Sequence, residues 1–147
     1  IDSSGRVTKP SQVCFHAKIT GANPGGGTST KIPYNGTDIN VGNHFNTTNY
    51  RFTAPIAGRY LFTVVHNTYG VTAGAYIGHR YSKNGNTVKV GAWYKSDSST
   101  DDQNGTSSVI LELAANDYIE IFSASSDSSY SFSGANLWNH FSGYLLG

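Results

Sequence analysis

Apolar and polar residues alternate in short blocks along these 147 residues, and no segment keeps the spacing of an amphipathic helix. The clearest block is Phe45 to Val65, FNTTNYRFTAPIAGRYLFTVV. Tyr50-Arg51-Phe52-Thr53 alternates rings with polar groups. Arg59 to Val65 sets Tyr60, Phe62 and Val64 on one face and Leu61, Thr63 and Val65 on the other. Such period-two alternation of β-branched and aromatic residues predicts two strands. Both faces of the second run are apolar, so it is expected to be covered on each side, as inside a sandwich. Pro55 removes a backbone donor and Gly58 accepts turn conformations, which makes Ala54 to Gly58 a corner and Tyr60 and Phe62 core rings.

The same reading extends in both directions. Val13 to Ile19 is the first convincing strand, and Cys14 beside Phe15 reads as a buried thiol, with nothing nearby in sequence to activate it. Thr20 to Thr30 contains GANPGGG and is a loop; without a following Gly-Lys-Ser/Thr it is no phosphate cradle. Lys31 to Tyr34 predicts a short strand, Asn35-Gly36 a turn, and Ala75 to Tyr81 and Thr87 to Tyr94 a hairpin around Asn84-Gly85. Ser96 to Thr106 and Ser123 to Ser131 read as polar loops. Between them Ser107 to Leu113 sets Val109, Leu111 and Leu113 against Ile110 and Glu112, and turns through Asn116-Asp117 into Tyr118 to Phe122.

Several of these positions share a fixed order: Tyr34, Asn40, Phe45, Phe52, Gly58, Tyr60 and Phe62. The order and spacing resemble the signature of the globular C1q domain, a branch of the C1q/tumour-necrosis-factor superfamily. Tyr34 stands where that family has Phe, and Val64 where it has an aromatic; both keep an apolar side chain. Phe141-Ser142-Gly143-Tyr144-Leu145 is similar to the ending that supplies the family's last, central strand. The resemblance implies an all-β jelly-roll β-sandwich over residues 13–147, assembled as a compact homotrimer. Residues 1–12, IDSSGRVTKPSQ, read as a linker or edge segment, and resemble the sequence that precedes C1q-like modules in virion proteins of tailed bacteriophages.

Composition adds to this picture. With one cysteine no disulfide forms within the chain, so packing must hold the fold. Net charge is +1, which implies no general attraction to nucleic acid, and no apolar run approaches the length of a membrane span. The charges are segregated along the chain: residues 1–95 carry ten basic and two acidic side chains, residues 96–147 seven acidic and none basic. The two blocks are expected to meet, within a subunit or across an interface.

Candidate chemistry is sparse. Five histidines, His16, His44, His66, His79 and His140, show no metal-ligand spacing, and His16, His66 and His79, in or beside strands, read as ordinary strand-face residues. No Gly-x-Ser-x-Gly elbow and no glycosidase carboxylate pair is present, so an enzyme is not expected and no cofactor is implied. Asp97, Asp101 and Asp102 with Asn104 are weak calcium candidates, since they offer several oxygens but no closing Glu. Trp93, Tyr94 and Trp138 exceed what one small core uses and suit a subunit interface or a ligand surface.

The expectation is therefore a non-enzymatic trimeric head domain of a phage virion appendage, a tail fibre or knob on the particle surface, with a host receptor or glycan as partner besides itself. A secreted adhesion or recognition protein of a cellular organism is the alternative. Loops 20–30, 66–74, 96–106 and 123–136 are the surfaces expected to bind.

Overall fold

A computed structural model describes residues 5, 9, 11–97, 100, 102–135 and 137–147. Its organising strand is β5 (Gly58–Tyr69), twelve residues paired along its length with β8 (Gln103–Leu113), from Gly58 opposite Leu113 to Thr68 opposite Gln103. The other edge of β5 takes β11 (His140–Leu145) and, further along, the two-residue β10 (Ser131–Phe132). β1 (Cys14–Lys18) then pairs with β11, and β2 (Gly36–Asn40) with β1, completing sheet I. Sheet II has the order β3 (Phe45–Asn46), β4 (Arg51–Thr53), β9 (Tyr118–Ser125), β6 (Tyr76–Lys83), β7 (Asn86–Lys95). Every pairing is antiparallel. The final strand thus lies between the first strand and β5, so sheet I closes only when both ends of the domain are present.

The two sheets face each other across a cluster of rings. Sheet I contributes Phe15, Phe62 and Phe141, and sheet II Phe45 and Phe52, all buried. Phe15 lies 4.9 Å from each of Phe45, Phe52 and Phe141, and Phe52 lies 5.5 Å from both Tyr60 and Phe62. These are offset-stacked and edge-on separations, which add to the burial energy. Gly143 is required beneath them, because a Cβ there would stand 2.2 Å from the Phe15 ring. Tyr60 keeps its hydroxyl satisfied by donating to Ile56 O at 2.8 Å, tying the ring to the Ala54–Gly58 corner. Asn40 brackets Phe45, donating to its carbonyl at 2.8 Å and accepting from its amide at 3.0 Å. Tyr34, Ile121 and Leu145 are buried in the same core.

Turn chemistry follows sequence closely. Asn84 and Gly85 both take positive φ, 50° and 83°, as a two-residue hairpin between β6 and β7 requires. Asn116 takes φ 71° in the β8–β9 turn, a conformation Asn tolerates better than most residues. The two turns are bolted together: Asp117 receives Lys83 Nζ at 2.8 Å and Asn84 Nδ2 at 2.6 Å. Lys83 first, then Asn84 and the Ala114 amide, hold the Asp117 carboxyl down at about 2.

Several expectations need correction. Tyr144, placed with the core residues by its position in the closing motif, points outward and is 45% exposed, because inward positions on β11 fall to Phe141, Gly143 and Leu145. Cys14 likewise faces outward and is half-buried. The strand expected at Lys31–Tyr34 is a single bridge from Lys31 to Phe122, flanked by amide bonds from β9 to Thr28 and Thr30. The turn expected at Asn35-Gly36 is instead the entry into β2. Residues 66–69, 103–106 and 123–125, read as loops, are strand, since their polar side chains are satisfied across the ladders: Asn67 Nδ2 donates to Asn104 Oδ1 at 2.9 Å. Most of residues 1–12 lies outside the described residues.

Truncating Phe62 to Ala removes the ring that touches both sheets and leaves a cavity. The cost expected is about 3–5 kcal/mol, read as a lowered urea midpoint at unchanged slope.

Candidate functional site

The sequence-predicted site residues do not gather in one place. Trp93 lies on the outer face of β7, 49% exposed, and stacks on Tyr76 of β6 at 5.8 Å between ring centroids. Tyr94, the next residue, points the other way and packs against the core. Trp138 is exposed in the segment before β11, beside the still more exposed Leu137. Asp97 and Asp102 are exposed and Asp101 lies outside the described residues. Among the described residues no three His, Cys, Asp or Glu side chains converge as a metal site would require.

The two charge blocks meet inside one chain. Glu120 Oε1 is buried and receives Lys31 at 2.6 Å and Arg51 at 2.9 Å, while Asp117 receives Lys83. Arg51 also lies 3.7 Å over the Tyr118 ring. These contacts tie β4, β9 and the 28–32 segment together, so at least part of the segregated charge orders strands within a subunit.

A broad surface emerges on the outer face of sheet I. Register places Ile110, Leu61, Tyr144 and Cys14 in one cross-strand row, with Thr63, Ser142, His16 and Ile39 in the next. Ile39, Ile110, Tyr144 and Leu146 are between 45% and 58% exposed. A depression of about 350 Å³ opens between the rows, walled by Cys14, Ile39, Leu61 and Tyr144. Apolar side chains clustered in this way mark a surface that associates. Alternation in β8 carried the signal, since Ile110 stands opposite the inward set Val109, Leu111 and Leu113; it reads as an apolar outward position only once the inward face is known.

Between the sheets lies a polar network that spacing did not reveal. His66 and His79 are fully buried and meet Nδ1 to Nδ1 at 2.7 Å. The remaining nitrogens reach Tyr94 Oη at 3.1 Å from His66 Nε2 and Ser107 Oγ at 2.6 Å from His79 Nε2. Tyr81 Oη donates to Ser107 O at 2.9 Å. Gly91 and Gly105 make room for the two imidazoles, since a Cβ on either would stand 2.5 Å or less from a ring. One proton per ring satisfies every nitrogen: one Nδ1–H donates and the other Nδ1 accepts. A second proton on the ring whose Nδ1 accepts would set two N–H groups against each other. Burial pushes His66 down to about 4, and burial with the neighbouring His66 pushes His79 down to about 3.

Two five-stranded antiparallel layers, one extended by β10 and closed by the last strand beside the first, define a jelly-roll sandwich of the C1q/tumour-necrosis-factor type. The C1q domain model matches residues 14–146, and the chain belongs to the C1q domain family. Solved structures share the fold at low identity. The globular domain of zebrafish complement 1qA protein superposes with a TM-score of 0.68 at 16% identity, covering 92% of this chain and 98% of that one. Murine APRIL gives 0.72 at 14% identity over 92% and 99%, and Eiger TNF from S. frugiperda 0.69 at 11% over 95% and 94%. No curated protein matches in sequence.

The histidine pair gives the stability of the fold a defined pH window. An unfolded chain takes up protons as pH falls through 6.5, whereas folded His66 resists until about 4 and His79 until about 3. The pair's contribution to stability is thus complete above pH 6.5 and is lost as pH falls from 6.5 to about 3, at about 1.4 kcal/mol for each unit of depression per histidine. Thermal melts across this range should show a falling Tm, and H79Q should flatten the slope; an unchanged slope in H79Q would remove the pair as its cause.

Proposed function

We propose that this chain is the non-enzymatic, trimeric C1q-like head domain of a phage virion appendage, a tail fibre or knob, structural in role and binding a host-surface receptor or glycan. Residues 13–147 form the head and residues 1–12 the linker or edge segment that joins it to the particle. The observation that carries the reading is the apolar outer face of sheet I, where Ile110, Leu61, Tyr144 and Cys14 form one row and Ile39 and Leu146 lie nearby. Covering such a face stabilises by roughly 25 cal/mol per Å² of apolar area. Three copies turned about one axis cover it without leaving an open edge. The family to which the chain belongs supports a recognition role rather than catalysis. The N-terminal likeness to phage proteins supports the particle surface as its location.

A second reading, a secreted adhesion or recognition protein of a cellular organism, is favoured by the whole-chain likeness to an animal complement domain. Proteomics of purified virions separates the two: the first reading expects this polypeptide among the structural proteins and is overturned by its absence.

Assembly is checked by sedimentation velocity. The wild type is expected at the mass of three chains, and L61E, which sets a charge in the middle of the apolar row, at the mass of one or two. A wild-type monomer at micromolar concentration would overturn the trimer.

A further inference from the structure

The outer face of sheet II, opposite the self-association face, carries a second surface. β6 turns Tyr76, Gly78, Arg80 and Ser82 to this side in alternation, Tyr76 exposed, Arg80 half-buried and Gly78 and Ser82 buried, while His79 and Tyr81 point into the sandwich. Trp93 of β7 pairs with Gly78, and a Cβ on Gly78 would stand 2.9 Å from the indole. The glycine therefore lets the indole lie across β6. Tyr76 and Trp93 lie with ring planes only 12° apart, and both are near half exposed, which makes an aromatic platform on the sheet surface.

Arg80 stands two residues beyond Gly78 and four beyond Tyr76 on β6, roughly 7 Å and 13 Å along the strand, and borders a polar hollow of about 220 Å³ with Ser29, Ser82, Thr87 and Phe122. Arg80 Nη2 donates to Ser29 Oγ, but Nε is buried without a partner. No carboxylate pairs with this guanidinium among the described residues. The nearest acid on the same face, Glu120, is already held by Lys31 and Arg51. The cations of this face therefore outnumber their acid partner among the described residues, and one of them sits among hydroxyls on the same strand as the aromatic platform.

We propose that this face binds an acidic oligosaccharide, with the apolar face of one sugar ring lying on Trp93 and Tyr76 and the carboxylate of a uronate further along the same chain received by Arg80 among the Ser29, Ser82 and Thr87 hydroxyls. A planar guanidinium suits a carboxylate better than a lone ammonium does, because its fork matches the two oxygens. Trp and Tyr pair a broad apolar ring with a polar edge, as sugar recognition needs. The proposal rests on the recognition reading above and names the ligand class and the surface that meets it. It joins two strands of sheet II to Ser29 of the 20–30 loop, one of the segments where sequence placed the binding surfaces.

The test is titration of the full chain with oligogalacturonate, oligoglucuronate and oligomannuronate, each against a neutral oligosaccharide of equal length, followed by tryptophan fluorescence and calorimetry. At least one uronate series is expected to bind and shift the fluorescence, with its neutral counterpart at least tenfold weaker. R80Q should weaken uronate binding about tenfold or more and erase the preference over the neutral sugar, because a charged hydrogen bond is lost. W93A should weaken binding and remove the fluorescence change, W138A should alter neither, and R80K should recover part of the loss. Circular dichroism and sedimentation of each variant establish that fold and assembly are intact. Failure of all three uronates to outbind their neutral counterparts, or unchanged binding in R80Q and W93A, overturns the proposal. Glycan-array or cell binding that persists in those variants overturns it while leaving the recognition reading standing; no binding to any glycan or cell overturns both.

Discussion

The interlocking of phenylalanine rings from opposite sheets is the constraint on which the rest of the molecule depends. Phe15, Phe62 and Phe141 come from three adjacent strands of sheet I, and Phe45 and Phe52 from the edge pair of sheet II. Because Phe15 touches Phe45, Phe52 and Phe141 at once, neither sheet can slide by one residue without turning these rings toward solvent. The contacts join residues from the first strand and the last, so the cluster is complete only with the whole domain in place. A fold with one unpaired cysteine has no covalent substitute for it.

Once the sheets are clamped, their remaining faces take separate roles. The interior beyond the rings holds a neutral histidine pair in which every nitrogen is matched. A buried polar network of this kind fixes the relative position of β5, β6, β7 and β8 more sharply than apolar packing does, and makes the same region the point of acid sensitivity. The outer face of sheet I carries an apolar row, Ile110, Leu61, Tyr144 and Cys14, beside a polar one of Thr63, Ser142 and His16. The outer face of sheet II mixes ion pairs, hydroxyls and flat rings, the composition of a surface that meets a polar ligand.

Much of the architecture was legible along the chain because its signals are local. Alternation marked β5, Asn84-Gly85 marked the hairpin, and Asn116 marked a left-handed turn. Polar strands were not legible. Asn67, Thr68, Gln103 and Asn104 look like loop residues, and become strand only because each finds its partner across the ladder. Tyr144 was misplaced for a related reason: its motif fixes the strand, while its side is set by the neighbours Gly143 and Leu145. The candidate surfaces were less legible still. Trp93 stood out as a surplus aromatic, yet Tyr76 and Arg80 read as ordinary strand residues.

By itself the sequence determined the fold class, the core rings, the tight turns and the family resemblance, because strand periodicity, turn propensity and motif spacing are written in consecutive residues. Tertiary structure alone decided which apolar residues face outward together, which histidines meet, and that a tyrosine on β6 stacks on an indole from β7. Those are contacts between strands, set by register and by which face each strand turns to the core. Two sequences with the same local pattern can differ in both.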